Sequence, residues 1–205
     1  SLSESPHALI SGITGSGKTY CLGHMIFSSI LNGSEVYICD VKSDIYKLRE
    51  YIGYDRAANN KEDIITLIEE VIIIMKDREK YALEKERKRI GVKYSDLGLK
   101  PVILVIDELG ALVSQFQNKK ETDNFFSLIR SIAMLGRQNG VFLFLGMQNP
   151  DSQTIETKTR TQMNFKMVLG NSSNDTKYLI YKADDLKEIK MEIAEGFYSD
   201  ITMIK

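Results

Sequence analysis

A run of glycines and hydroxyl residues near the amino terminus has the composition and spacing of a phosphate-binding loop. Residues 12–19 read G-I-T-G-S-G-K-T and fit the pattern G-x-x-x-x-G-K-[ST] at every fixed position. Glycines let backbone N–H groups converge on phosphate oxygens, and the helix that follows points its positive end there. Lys18 adds a charge for the terminal phosphates, and the Thr19 hydroxyl is expected to bind Mg²⁺. The predicted nucleotide contacts are Gly12, Thr14, Gly15, Ser16, Gly17, Lys18, Thr19 and Tyr20.

The alternative to a phosphate-binding loop is a chance glycine-rich turn. An apolar strand over about 7–11 precedes the loop, and an amphipathic helix over about 18–31 follows it. This context is the one a phosphate-binding loop needs, so it disfavours the chance turn.

Two acids follow the run V-I-L-V-I at residues 102–106, which is typical of a parallel strand buried on both faces. Carboxylates at the carboxyl end of such a strand would lie beside the phosphate-binding loop. Asp107 is expected to reach Mg²⁺ through water, and Glu108 to polarise the water that attacks the γ-phosphate. The pair favours ATP hydrolysis over binding alone. The alternative is that both acids merely end a strand.

Three further polar residues are candidates for the same reaction. Gln148 ends the apolar strand 141–147, where its amide could contact the γ-phosphate, although glutamine before Asn-Pro is also ordinary turn chemistry. Phosphoryl transfer needs positive charge, often from an arginine of the next subunit. Arg137 is the first candidate and Arg130 the second, and a surface salt bridge is the alternative for each.

Basic residues occur in two segments that we expect to be loops at the same edge of the sheet. Lys119 and Lys120 end the segment 115–120, and Lys158 and Arg160 lie in the segment 151–161. The net charge of −1 predicts no general attraction to polyanions, so DNA contact would require local patches or a ring of subunits. Plain solvated loops are the alternative.

Strands alternate with helices along the chain, which predicts an α/β fold with a mostly parallel sheet and helices on both faces. We expect one domain over residues 1–205. The predicted strands are 7–11, 36–39, 102–107, 141–147 and 165–169, followed by a hairpin near 196–204. The predicted helices are 18–31, 43–50, 61–89, 121–138 and 174–181.

The remaining composition places the domain in the cytoplasm. The cysteines, Cys21 and Cys39, form no C-x-x-C motif, and no apolar run approaches the length of a membrane span. His7 and His24 are interpreted as structural. We expect the domain to belong to a longer, membrane-associated protein.

Taken in order, these motifs resemble the motor domain of the FtsK/SpoIIIE family, within the HerA–FtsK group of RecA-like P-loop ATPases. The resemblance covers nearly the whole chain. The segments that carry it are PHALISGITGSGKT, VYICDVKSD, VILVIDELGAL, GRQNGVFLFLGMQNPDS, NFKMVLG and EGFYSD. It implies a hexameric ring that hydrolyses ATP at subunit interfaces and pumps double-stranded DNA through its pore.

The resemblance also implies residue roles. It supports Lys18, Thr19, Asp107, Glu108 and Gln148 at the ATP site, Arg137 as the arginine acting on a neighbour, and Lys119, Lys120, Lys158 and Arg160 as DNA contacts. The sequence departs from the family at two places. The family segment Ala-Thr-Gln-Arg-Pro is replaced here by G-M-Q-N-P at residues 146–150, and Gln162 stands where the family often has an arginine. These departures favour a coupling protein of a Gram-positive conjugative element, which delivers DNA to a membrane channel.

Two other functions are compatible with the same motifs. An ATPase of type VII protein secretion has a similar motor domain and would respond to a protein substrate instead of DNA. A nucleotide-gated binding module would bind ATP with little turnover, although Asp107 and Glu108 count against it.

Overall fold

The computed structural model describes residues 5–86, 91–150, 155–171, 173, 176, 180–181 and 195–199. The strands in these ranges are β1 (Ala8–Gly12), β2 (Glu35–Asp40), β3 (Ala57–Ala58), β4 (Val102–Asp107), β5 (Val141–Met147), β6 (Phe165–Leu169) and β7 (Gly196–Ser199). The α-helices are α1 (Lys18–Leu31), α2 (Arg49–Ile52), α3 (Lys61–Lys85), α4 (Leu109–Val113), α5 (Lys119–Asn139) and α6 (Thr157–Gln162). Short 3-10 helices cover Tyr46–Leu48, Tyr54–Arg56 and Tyr94–Leu97.

The strands form one sheet in the order β3-β2-β4-β5-β1-β6-β7. Neighbouring strands are parallel up to β6, and β7 pairs with β6 in the antiparallel sense. The predicted α/β fold with a mostly parallel sheet is therefore confirmed. The register sets Asp40 beside Asp107 and Ser11 beside Met147. The carboxyl ends of β1, β2, β4 and β5 thus meet at one edge of the sheet.

Successive side chains of the central strands enter two different cores. Leu104 packs on the face covered by α3 and α5, whereas Ile103 and Val105 pack on the face covered by α1. Burial on both faces explains why β4 and β5 are apolar at nearly every position. Each fully buried aliphatic side chain stabilises the fold by about 1.5–3 kcal/mol relative to an exposed one. The sheet is therefore a rigid platform for the polar residues at its edge.

Asparagine caps set the starts of the two long helices. The side-chain oxygen of Asn60 accepts the N–H of Asp63, and that of Asn118 accepts the N–H of Glu121, each at 3.0 Å. Because Asn118 is the cap, α5 begins two residues before its predicted start at Glu121.

The predicted helix over 43–50 is wrong in its start, since only residues 46–50 of that span are helical. Ser43 has a φ of 63°, and the chain forms a 3-10 helix at Tyr46–Leu48 before α2 begins. The cause is Asp40, whose carboxylate accepts the N–H groups of Lys42, Ile45 and Tyr46 at 3.0, 2.7 and 3.2 Å. A buried carboxylate that binds three N–H groups imposes a turn that competes with helix.

Other element boundaries differ in smaller ways. The strand β3 and the helix α4 were not predicted, and residues 157–162 form α6 instead of a loop. The helix α3 ends at Lys85, and residues 87–90 of its predicted span lie outside the described residues. Most of the predicted helix 174–181 and residues 200–204 of the predicted hairpin also lie outside them. No helix in the described ranges combines the length and apolarity that crossing a bilayer would require.

Candidate functional site

The phosphate-binding loop joins β1 to α1 at the carboxyl edge of the sheet. Gly15 and Gly17 have φ values of 81° and 93°, a region that glycine enters without steric cost. The N–H of Ser16 donates to the carbonyl oxygen of Ile13 at 3.1 Å and closes the turn. Since α1 begins at Lys18, its first backbone N–H groups have no carbonyl partner within the helix and can bind phosphate.

Lys18 lies between the acid that ends β4 and the acid that follows it. Its ammonium nitrogen contacts Oδ1 of Asp107 and lies 2.7 Å from Oε1 of Glu108. Burial disfavours the charged ammonium, but the two carboxylates outweigh it and raise the pKa of Lys18. For Asp107, burial outweighs the attraction of Lys18, and the pKa of the carboxyl is raised. The fold thus brings together the lysine and both acids that the sequence placed in one site.

Glu108 is held by three side chains. It adopts a left-handed conformation with φ of 54° and ψ of 52° directly before α4. Its Oε2 accepts hydrogen bonds from Nζ of Lys42 at 2.7 Å and from Nε2 of Gln148 at 3.1 Å. Burial alone would raise the pKa of Glu108, but the bonds from Lys18 and Lys42 lower it. The carboxylate is therefore ionised, as a base that polarises water must be.

Gln148 reaches Glu108 from the end of β5. The hydroxyl of Ser11, on the neighbouring strand β1, donates to the carbonyl oxygen of Gln148 at 3.2 Å. This bond fixes the Gln148 backbone beside the phosphate-binding loop while the side-chain amide points to Glu108. The structure therefore brings the Gln148 side chain into the site, beyond any contribution to the turn at Pro150.

A cavity of about 220 Å³ opens above these residues. Its walls include Ile13, Lys42 and Asp44, which the sequence did not assign to the site, together with the predicted residues Gly12, Thr14, Gly15, Gly17, Lys18, Thr19, Tyr20, Glu108 and Gln148. Ser16 is the exception among the predicted contacts, because its side chain packs beneath the loop with only 4% exposure. Gly12 makes room for it, since a Cβ there would overlap the Ser16 hydroxyl oxygen.

Thr19 and Asp107 are compatible with the predicted Mg²⁺ site. Thr19 lines the cavity and Asp107 lies beneath it at the end of β4. The described residues contain no group of three or more His, Cys, Asp or Glu side chains that could hold a metal. A cation here would need phosphate oxygens as further ligands, which suits Mg²⁺ bound together with a nucleotide.

The two candidate arginines lie away from this cavity. Arg137 is in the last turn of α5, and its charge acts on His7, which precedes β1 at the opposite edge of the sheet. Arg137 therefore does not line the cavity of its own chain. Arg130 forms a two-pronged ion pair with Glu156, with Nε to Oε2 at 2.9 Å and Nη2 to Oε1 at 2.6 Å. For Arg130 the salt-bridge alternative is the one the structure shows.

The four predicted DNA contacts have different surroundings. Lys119 and Lys120 are exposed in the first turn of α5, and Lys158 is exposed on α6. Arg160 is only 8% exposed, and its Nη1 donates to the carbonyl oxygen of Pro150 at 2.6 Å. The expectation that Arg160 contacts DNA is therefore corrected, because its guanidinium fixes the backbone inside the fold.

Of the two histidines, His7 has the structural character expected of it. His7 is 1% exposed, and its Nδ1 accepts the backbone N–H of Leu143 at 3.1 Å. Burial and, to a smaller extent, the positive charge of Arg137 lower its pKa to about 4, although a hydrogen bond with the Ala133 backbone acts in the opposite direction. His24 is exposed on α1.

A glycine-rich loop between strand and helix, its lysine, and an acid pair at the end of a parallel strand together define a P-loop NTPase. No protein-family model matches the chain. It is 34% identical over 195 residues to the FtsK domain-containing protein YdcQ of Bacillus subtilis, covering 94% of this chain and 40% of YdcQ. It is 26% identical over 174 residues to the DNA translocase FtsK of Staphylococcus aureus, covering 75% of this chain and 21% of that protein.

Solved structures share the fold at lower identity. The pCW3 conjugation coupling protein TcpA, in a monomer form with ATPγS, aligns with a TM-score of 0.79 and 22% identity over 98% of this chain and 58% of that one. The cytoplasmic domain of the type VII secretion ATPase EccC of Thermomonospora curvata aligns with a TM-score of 0.72 and 19% identity over 96% of this chain and 24% of that one.

The chain belongs with the FtsK-type P-loop domains, and the resemblance noted in its sequence is confirmed. It spans well under half the length of the two curated relatives.

Proposed function

We propose that this protein is the Mg²⁺-dependent ATPase domain of a motor that moves DNA through a hexameric ring. The observation that carries the proposal is the convergence of Lys18, Asp107 and Glu108 at one cavity beside the phosphate-binding loop. The identity to FtsK-type proteins supports DNA as the polymer that the ring moves.

In this mechanism the loop and Lys18 bind the β- and γ-phosphates, and a triphosphate competes with the two carboxylates for the lysine. Thr19 and Asp107 would hold Mg²⁺, which neutralises charge on the phosphate oxygens when bound. Glu108 accepts a proton from the attacking water. Gln148 orients the Glu108 carboxylate through the bond at 3.1 Å.

Two parts of the proposal require neighbouring subunits. Arg137, on the far edge of the sheet, would stabilise the transition state in the next subunit, where an arginine in trans accelerates phosphoryl transfer about 10³–10⁵-fold. Exposed Lys119, Lys120 and Lys158 would contact DNA phosphates. Because the chain carries a net charge of −1, a useful basic surface requires the same lysines from several subunits.

We also propose that the domain serves conjugative transfer, as the cytoplasmic part of a membrane-associated coupling protein that delivers DNA to a channel. The sequence departures at 146–150 and at Gln162 motivate this assignment. The likeness to a conjugation coupling protein over 98% of this chain supports it at the level of the fold.

The same fold is found in a type VII secretion ATPase, so protein translocation is the second candidate. Such a motor would be stimulated by a peptide and indifferent to DNA. A nucleotide-gated binding module would show ATP binding with hydrolysis near background.

The test is ATP turnover by the purified protein with double-stranded DNA, single-stranded DNA or neither, over a range of protein concentrations. Glu108→Gln gives the background. Stimulation by DNA that rises steeply with protein concentration would support a ring-shaped DNA motor, and the preferred strand form would bear on conjugation. Indifference to DNA in a preparation shown to be hexameric would contradict the DNA motor and favour the secretion ATPase.

A further inference from the structure

Lys42 has no role in the mechanism above, yet it lies within the site. It follows β2 in a turn that the buried Asp40 carboxylate holds through the N–H groups of Lys42, Ile45 and Tyr46. Its Nζ lies 2.7 Å from Oε2 of Glu108, and its side chain is 42% exposed. The backbone of Lys42 is therefore fixed, whereas its ammonium group has room to move.

Lys42 and Lys18 bind the same carboxylate from opposite sides. Lys18 contacts Oε1 of Glu108 and Lys42 contacts Oε2, each at 2.7 Å. Two ammonium groups on either side of one carboxylate form a binding site for any compact anion whose oxygens have a similar separation. A terminal phosphate is such an anion and carries more negative charge than the carboxylate.

The position of Lys42 relative to the loop decides which phosphate it could reach. It lines the same cavity as the phosphate-binding loop, on the wall with Glu108 and Gln148. It also lines a second cavity of about 310 Å³, with Gly110 and Ala111. If the loop holds the β-phosphate beside Lys18, the phosphate nearest Lys42 on the opposite wall is the γ-phosphate.

We propose that Lys42 is a second γ-phosphate-binding residue, which exchanges Glu108 for the terminal phosphate and so distinguishes a nucleoside triphosphate from a diphosphate. This inference rests on the proposed ATP site. It assigns to Lys42 a contribution to nucleotide discrimination in addition to that of Lys18.

The test is equilibrium binding of ADP and of the non-hydrolysable analogue AMPPCP, both with Mg²⁺, to the 205-residue chain by calorimetry. Lys42→Met should weaken AMPPCP binding about tenfold or more and change ADP binding less than about twofold, because a charge-assisted bond to phosphate is lost. Lys42→Arg should retain most of the affinity. Lys47→Met is the matched control, since Lys47 is exposed on the same segment and lines neither cavity.

Equal losses for the two nucleotides, or no loss for AMPPCP, would overturn the role of Lys42 while leaving the ATP site intact. If the unmodified chain binds neither nucleotide, the proposed ATP site itself fails, and the inference fails with it. Normal thermal unfolding of Lys42→Met excludes a folding defect as the source of a loss.

The proposed exchange of Glu108 for the terminal phosphate at Lys42 can be tested by a second binding measurement. Glu108→Gln removes the carboxylate that competes for both lysines, so it should tighten AMPPCP binding several-fold. In the Lys42→Met background that gain should be smaller, because one of the released cations is missing. An identical gain in both backgrounds would contradict the exchange.

Discussion

The carboxylate of Asp107 packs directly against the backbone of Gly146 on the neighbouring strand. A Cβ at Gly146 would overlap Oδ1 of Asp107 and would lie 2.7 Å from Cδ1 of Leu22. Because Gly146 has no side chain, the carboxylate of Asp107 has room to contact Lys18.

We expect Gly146→Ala to move the Asp107 carboxylate. The overlap should lower the free energy of unfolding by about 1–3 kcal/mol, and turnover at saturating ATP should fall several-fold. Urea denaturation and steady-state hydrolysis measure the two effects. Gly23→Ala on α1 is the control, because a Cβ there meets nothing within 4 Å and helix propensity favours alanine. Unchanged stability and turnover in Gly146→Ala would show that the Asp107 contact is dispensable.

Substitutions of Arg160 and Lys158 should distinguish a structural role from a DNA-binding role on the short helix α6. Arg160→Ala leaves the Pro150 carbonyl without its charged donor and should cost about 2 kcal/mol of stability. Lys158→Ala should change stability by less than about 0.5 kcal/mol, but it should weaken DNA binding and reduce the salt dependence by about one phosphate contact. The measurements are urea denaturation and DNA binding at several salt concentrations. Weaker DNA binding by Arg160→Ala at unchanged stability would contradict the corrected assignment.

The sequence was sufficient for the parts of the fold that depend on local chemistry. Buried parallel strands have continuous apolar runs, and α1 was predicted with its observed bounds because glycine and lysine mark its start and asparagine-glycine its end. The helix predicted over 43–50 begins later than expected because a turn around the buried Asp40 carboxylate occupies residues 42–45. Residue spacing alone does not show that the carboxylate at the end of a strand will accept hydrogen bonds from three backbone N–H groups that follow it.

The site was predictable to a similar degree. The sequence predicted Lys18 because the motif that contains it is contiguous. It predicted Glu108 because that residue directly follows a recognisable apolar strand. It could not assign Lys42 to the site, because the lysine reaches Glu108 only through the pairing of β2 with β4. It also could not separate buried Arg160 from exposed Lys158, since both lie in one polar segment and their burial depends on tertiary packing.

Arg137 is expected to act on the ATP site of a neighbouring subunit, because it lies at the sheet edge opposite its own site. Arg137→Ala should lower turnover about 10³-fold or more with little change in ATP affinity. Lys18→Ala should also be inactive. Mixing the two variants should restore part of the activity, because some interfaces then join an intact Lys18 to an intact Arg137. The measurement is turnover of the mixture against each variant alone, and a mixture that stays inactive would contradict action in trans.

His7 should make the fold less stable in mild acid. Its pKa is about 4 in the folded protein, against an ordinary value of 6.5, because burial disfavours the imidazolium. Between these pH values the unfolded chain binds a proton that the folded chain does not. The neutral buried His7 therefore costs the fold no stability above pH 6.5. As the pH falls from 6.5 toward 4, the free energy of unfolding decreases by a total of about 3 kcal/mol.

Urea denaturation at several pH values between 7 and 4 measures this dependence. His7→Asn is the informative variant, because an amide oxygen can accept the Leu143 N–H in place of Nδ1 and does not titrate. The wild type should lose stability relative to His7→Asn as the pH falls, by about 1.4 kcal/mol per pH unit at most. Parallel curves for wild type and His7→Asn would show that His7 has the same pKa in the folded and the unfolded chain, so that burial does not lower it.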